Sequence, residues 1–272
     1  MAEAPIVRLD QVDSTQREAR ARLSQGAPHG TLVVARRQSA GRGRLARSWR
    51  SDEGGLWLSM IVRGTLPSTQ APRLTLAAAA LVVEALDELA ASRGMAVRAG
   101  VKWPNDLMLP HPIESARLGP WRKVGGLLLE GVDLDATTLK SAVLGLGLNV
   151  RRPPGGFGPE LEGIATSLEE AGLDAHVEEL LQALGPRLQR RLLHAAEDGP
   201  FAGVLDALRV RSATLGRRVT VEGVAGRADA LLPDGALRVI DEHGHAHVIR
   251  AGDVWLADPA TTSQAPPRGP AP

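Results

Sequence analysis

Apolar residues recur along the chain in two rhythms. Short β-branched or alternating runs predict strands at residues 6–9, 31–37, 56–63, 97–101, 124–132 and 140–150. Longer stretches at helical spacing predict helices at residues 15–25, 74–93, 175–196 and 201–213, with a short turn at 166–171. Asp13, Ser14 and Thr15 offer N-cap chemistry for the first helix, and Gly26 closes it. The strands at 124–132 and 140–150 are spaced as an antiparallel pair turning near residues 133–135. Residues 107–122, marked by Pro110, Pro112 and Pro120, read as a long inserted loop.

After Gly216 the rhythm shortens. Alternating strands separated by turns at Gly223, Asp234-Gly235 and His243-Gly244 predict a small all-β barrel or sandwich. The mixture of elements predicts an α+β fold rather than regular βαβ alternation. The expected organisation is a catalytic domain at 1–213, a small β domain at 214–258, and a disordered, proline-rich tail at 259–272.

Composition narrows the classes. With 272 residues and 43% hydrophobic content, the chain can bury a sizeable core. A formal net charge of +1 argues against a general nucleic-acid binder. There is no cysteine, which excludes disulfides, thiolate zinc sites and cysteine nucleophiles. The first residues, MAEAPIVRLD, lack a signal-peptide core, and the longest apolar run, 74–86, is interrupted by Glu84. A soluble, cytoplasmic protein without membrane contact is expected.

The basic charge is local. Residues 38–49, QSAGRGRLARSW, carry Arg42, Arg44 and Arg47 among Gly41 and Gly43, between two predicted strands. Glycine lets backbone amides approach a ligand, and guanidinium forks match phosphate oxygens. Such a loop can hold a polyphosphate or an acyl phosphate, and composition does not say which. Lysine occurs only at 102, 123 and 140, and asparagine only at 105 and 149. In a chain that otherwise uses arginine, retained lysines at Lys102 and Lys123 mark places where a compact point charge is needed. Pro104 biases Trp103 to extended geometry and so aims the side chains of the turn Lys102-Trp103-Pro104-Asn105-Asp106. His243, His245 and His247 alternate as metal ligands would, but they lie away from these segments and read as a solvated hairpin. Gly145 and Gly147 are not a dinucleotide fingerprint, because no phosphate-binding helix follows them.

Five segments in order carry a resemblance: DST at 13–15, GRGRLARSW at 41–49, KWPND at 102–106, KVGGLLLE at 123–130 and GLGLNV at 145–150. Together they resemble the biotin–protein ligases over residues 6–258. The resemblance implies a class II synthetase-like catalytic domain with a mixed or antiparallel sheet flanked by helices, followed by an SH3-like β-barrel. It also implies the short form, in which no DNA-binding domain precedes the catalytic one, and no DNA partner. The implied reaction joins biotin and ATP, with Mg²⁺, into biotinyl-5′-adenylate, then transfers biotin to a lysine of a biotin carboxyl carrier protein.

The same resemblance implies roles for individual residues. Lys123, Arg42, Arg44 and Arg47 would be catalytic. Ser14, Thr15, Gln16, Gln38, Arg42, Gly43, Arg44 and Lys123 would contact biotin. Gly41, Arg47, Trp49, Lys102, Asn105, Asp106 and Asn149 would contact ATP, with Asp106 touching Mg²⁺. The arginine loop would act as a lid, mobile without ligand and ordered with it. Capping of the first helix by Ser14 and Thr15 is compatible with ligand contact. Three departures stand out: Leu45 replaces a residue that is often basic, Gln16 replaces a common asparagine, and 107–122 is longer than usual. The alternatives are a lipoate or octanoate ligase or transferase of the same fold, and a non-catalytic biotin-sensing regulator. The expected assembly is a monomer or a homodimer.

Overall fold

The computed structural model describes residues 4–115 and 118–256, so the expected tail at 259–272 lies outside the described residues. Its centre is a seven-stranded sheet built from β1 (Ile6–Val12), β2 (Leu32–Gln38), β3 (Gly55–Pro67), β4 (Gly100–Lys102), β5 (Asp106–Ser115), β6 (Gly119–Leu134) and β7 (Thr138–Asn149). The strand order is β1-β2-β3-β7-β6-β5-β4. Only β1 and β2 run parallel; every other neighbouring pair is antiparallel. A parallel pair needs a crossover, which α1 (Thr15–Ser24) supplies.

Both faces of the sheet are covered, which explains why β3 is apolar almost throughout. On one face Ala19 and Leu23 of α1 pack on Val33, Ile61 and Val143. On the other, Leu58, Met60 and Val62 of β3 join a large core with α2 (Ala71–Ser92) and α3 (Val177–Ala195). The register then aligns side chains across strands on the α1 face. Ser59 pairs with Gly145, and Gly145 with Leu128. Trp57 pairs with Gly147, Gly147 with Gly126, and Gly126 with Asp106.

The segment 107–122 corrects the expected loop, because most of it is the β5–β6 hairpin. Its prolines have a place there. β4 pairs β5 only from Asp106 to Met108, so beyond that point β5 is an edge strand. A proline on an open edge forfeits no ladder bond, and the register shifts between Pro110 and Ser115.

After α4 (Asp198–Val210) comes an antiparallel sheet of β8 (Arg218–Val221), β9 (Val224–Leu231), β10 (Leu237–Ile240), β11 (Ala246–Ile249) and β12 (Trp255–Leu256), in the order β11-β10-β9-β8-β12. Its apolar residues Val219, Val221, Leu231, Leu237 and Val239 belong to the same core as the first sheet. The histidine-rich β10–β11 turn is organised by Asp241. Its Oδ1 accepts the amides of His243 and His245 at 2.9 Å each, and its Oδ2 lies 2.8 Å from His247 Nε2. No cluster of three or more His, Cys, Asp or Glu that could hold a metal occurs among the described residues. No helix among them is long and apolar enough to cross a membrane.

Trp103 fastens the two sheets. It is 3% exposed, its amide donates to Thr214 Oγ1 at 2.9 Å, and its indole donates to the Gly235 carbonyl at 3.0 Å. Trp103→Ala should destabilise the protein by about 3–5 kcal/mol in urea unfolding. A loss below about 1 kcal/mol would show that this tie is dispensable.

Candidate active site

The aligned rows Ser59-Gly145-Leu128 and Gly147-Gly126-Asp106 form the floor of a cavity of about 300 Å³. Glycine leaves room in that floor at two positions. A Cβ on Gly145 would lie 2.7 Å from Gln16 Oε1, and one on Gly147 would lie 2.8 Å from the Trp49 indole nitrogen. The start of α1 contributes Ser14, Thr15 and Gln16. The β2–β3 connection contributes Gln38, Arg42, Gly43, Arg44, Arg47 and Trp49. The β4–β5 turn brings Lys102, Asn105 and Asp106, while Lys123 and Asn149 come from β6 and β7. Gly41 alone among the expected residues stands outside the lining. Its carbonyl accepts the Trp49 amide at 2.8 Å, and a Cβ there would fall 2.3 Å from the Trp49 carbonyl oxygen, so glycine lets the loop fold back.

A hydrogen-bonded chain fixes the α1 end. The Thr15 amide and hydroxyl donate to Gln38 Oε1 at 2.8 and 3.0 Å, and the Gln38 amide donates to Ser51 at 2.7 Å. The Thr15 and Ser59 hydroxyl oxygens lie 2.9 Å apart, and Ser59 donates to Gln16 Oε1 at 3.0 Å. The Gln16 amide in turn donates to the Leu128 and Val143 carbonyls at 3.2 and 3.1 Å. Ser14 behaves differently. It occupies the N-cap position with extended backbone, yet its hydroxyl makes no capping bond. Ser14 Oγ, Trp49 Nε1 and Arg73 Nε are the buried side-chain polar atoms without a partner among the described residues, and the first two belong to cavity-lining residues. Leaving such atoms unpaired costs about 1–3 kcal/mol each.

The charges are arranged around Asp106. Its Oδ2 meets Lys102 Nζ at 3.0 Å and its Oδ1 meets Lys123 Nζ at 2.6 Å. Burial alone would push this carboxyl up, but the two ammonium groups outweigh it and hold Asp106 well below the usual carboxylate range. Lys123 Nζ also lies 5.1 Å above the Trp49 ring. Both Asp106 oxygens are thus engaged with ammonium groups.

Arg44 donates to Asn105 Oδ1 at 2.9 Å and to the Gly252 carbonyl at 3.1 Å, and burial draws its pKa down from the usual guanidinium value. Arg42 pairs with Glu130 at 2.9 Å. Six lining cations (Arg42, Arg44, Arg47, Arg50, Lys102, Lys123) face two lining carboxylates (Asp106, Asp253), so the cavity favours anions.

Sequence reasoning missed several contributors. Ser59 is the one polar residue in the apolar run LWLSMIV, and that contrast could have exposed it. Asp253, which pairs with both Arg44 and Arg47, follows no local motif and comes from the second sheet's β11–β12 connection. Phe157, Leu161 and Ile164 form an apolar wall from a turn-rich segment whose role had no visible periodicity.

Residues 9–149 match the Biotin/lipoate A/B protein ligase family. The chain is 33% identical over 253 residues to the biotin–[acetyl-CoA-carboxylase] ligase of Mycobacterium tuberculosis, covering 90% of this chain and 86% of that protein. It is 39% identical over 167 residues to the bifunctional ligase/repressor BirA of Bacillus subtilis, covering 61% of this chain but only 46% of that protein. The chain therefore matches less than half the length of that relative. Among solved structures, the biotin protein ligase from Aquifex aeolicus in complex with biotin and ATP superposes with a TM-score of 0.73 at 28% identity, over 93% of this chain and 99% of that one. With the family's match spanning more than half the chain and a relative matched almost end to end, this chain belongs to the biotin/lipoate A/B protein ligase family.

Proposed function

We propose that this chain is an ATP-dependent biotin–protein ligase that forms biotinyl-5′-adenylate and transfers biotin to a lysine of a biotin carboxyl carrier protein. The observation that carries the reading is a strongly cationic cavity whose lining residues Ser14 and Trp49 each hold a buried, unpartnered polar atom. In the first step a biotin carboxylate oxygen attacks the α-phosphorus and pyrophosphate leaves. In the second, the carrier lysine's amine attacks the biotinyl carbonyl, AMP leaves with the bonding electrons, and the amine proton passes to solvent.

Two anions must meet in the first step, so fixed cations lower the barrier. Lys123 is the best placed for this, because its ammonium is already held by Asp106 and Trp49 within the cavity. Arg42, Arg44 and Arg47 would hold phosphate oxygens and close the loop over the mixed anhydride, excluding water. Lys102 and Asn105 would face the triphosphate. Asp106 would act through the two lysines it aligns; any magnesium would arrive on the nucleotide's phosphates. On the adenine side, Asn149 Nδ2 is bonded to the Thr166 carbonyl at 3.0 Å, which leaves Oδ1 for an exocyclic amine beside Trp49.

Ser14, with the chain Thr15-Gln38-Ser59-Gln16, suits the carbonyl and paired N–H groups of a ureido ring. An apolar octanoyl tail or a dithiolane would leave Ser14 without a partner, which favours biotin over lipoate or octanoate. The dependence on ATP fits a cytoplasmic setting.

Incubation with biotin, ATP and Mg²⁺ should yield a bound product with the mass of biotinyl-adenylate; folded protein that forms none refutes the assignment. Lys123→Ala should slow biotin-dependent ATP–pyrophosphate exchange by about a hundredfold or more, and unaltered exchange would remove Lys123 from the mechanism.

Ser14→Ala separates ligand binding from capping. It should weaken biotin in titration calorimetry by about fivefold to thirtyfold, while thermal stability is unchanged or higher. A fall in stability instead would mean that the hydroxyl serves the fold.

Because Asp106 ionises well below the value of about 3.9 expected of an unfolded aspartate, its contribution to stability is complete above that pH and fades as pH falls towards the folded-state value. Asp106→Asn should therefore flatten the loss of stability below about pH 4. Urea midpoints with the same acid limb in both proteins would contradict this.

A further inference from the structure

The arginine loop is tied down from both sheets, and the second sheet supplies the tie to Arg47. Asp253 pairs with Arg44 Nη1 at 3.5 Å through Oδ1 and with Arg47 Nη2 through Oδ2. The neighbouring Gly252 carbonyl accepts Arg44 Nη2 at 3.1 Å. Asp253 itself lines the cavity and is only partly exposed. One carboxylate thus gathers two guanidinium groups in the manner of a phosphate bound between them.

The loop needs such a tie. Leu45 and Ala46 at its tip are both left-handed, with φ of 54° and 57°. Residues with a Cβ pay about 1–2 kcal/mol each for that conformation. Inside the loop, the Gly43 amide donates to the Arg47 carbonyl at 2.8 Å and the Arg47 amide donates to Arg44 at 3.2 Å. These bonds shape the turn without attaching it to the floor. Side-chain anchorage comes from Arg42 on Glu130, Arg44 on Asn105, and the two arginines on Asp253.

Resting on the reading of the cavity as an ATP site, we infer that Asp253 is a positioning residue that acts as an internal stand-in for the ligand's phosphate. It holds Arg44 and Arg47 over the cavity and is exchanged for phosphate oxygens when the nucleotide enters. The second sheet then takes part in the reaction cycle, because each substrate phosphate competes with a carboxylate that this sheet supplies. After product leaves, the same carboxylate recaptures the loop.

Asp253→Asn keeps the shape and removes the charge; Asp253→Glu keeps the charge. In Asp253→Asn, trypsin should cut after Arg44 and Arg47 roughly fivefold faster in the absence of ligands, the scale of a partly exposed charge pair. The KM for ATP in biotin-dependent pyrophosphate exchange should fall by roughly the same factor, because the competing anion is gone. Asp253→Glu should restore both quantities towards wild type. A purely structural role predicts a higher KM or a lower kcat without the drop in KM, and that result, or an unchanged cleavage rate, overturns the inference. Failure of the wild type to catalyse biotin-dependent exchange would sink the ligase reading instead, while the cleavage rates still decide whether Asp253 holds the loop.

Discussion

Asp106 between Lys102 and Lys123 is the interaction around which the rest of the site is arranged. Two ammonium groups brought near each other in a poorly hydrated cleft repel strongly, and one carboxylate between them removes most of that repulsion. The trio still carries a net positive charge, so it is compact enough to exist without ligand and remains attractive to phosphate. Its position depends on register. Asp106 shares a row with Gly126, Gly147 and Trp57 across four strands. A slip of one residue in any pairing would send the carboxylate to the opposite face, among α2 and α3.

Much of this was readable in the sequence because the relevant signals are local. The arginine-glycine loop, the KWPND turn and the Lys123-x-Gly-Gly segment each combine unusual residue choice with punctuation that fixes backbone shape. The strands at 124–132 and 140–150 announced themselves by apolar runs around glycines, and they supply the glycines of the cavity floor. What escaped was non-local. The prolines of 107–122 are poor strand formers until one knows that β4 is three residues long and leaves β5 as an edge. Asp253 looked like any acidic residue between short strands, and only the packing of the two sheets brings it to Arg44 and Arg47. The helix α3, by contrast, is expected at 175–196 straight through Pro186 and forms at Val177–Ala195, with Leu184 and Leu188 buried on either side of the proline.

Ser14 shows how one position serves local structure and leaves its side chain available. Its backbone is extended as an N-cap should be, but its hydroxyl accepts no first-turn amide, while its own amide donates to Asp13 Oδ1 at 2.6 Å. Asp13 in turn pairs with Arg17 at 2.7 Å, placing a carboxylate at the start of the helix, where it opposes the helix dipole favourably. The Ser14 hydroxyl therefore takes no part in capping the helix.

A ligand that reaches the two unpartnered atoms must match their polarity. A serine hydroxyl can donate or accept, whereas an indole N–H can only donate. The ligand atom that meets Trp49 must therefore be an acceptor, and the one that meets Ser14 can be of either kind. Each unmade bond lowers the stability of the empty fold by about 1–3 kcal/mol and returns as affinity when the matching atom arrives. Gly147 holds the indole edge at the floor, since any side chain there would collide with it. The polarity demanded at one end of the cavity is thus set by a residue that has no side chain.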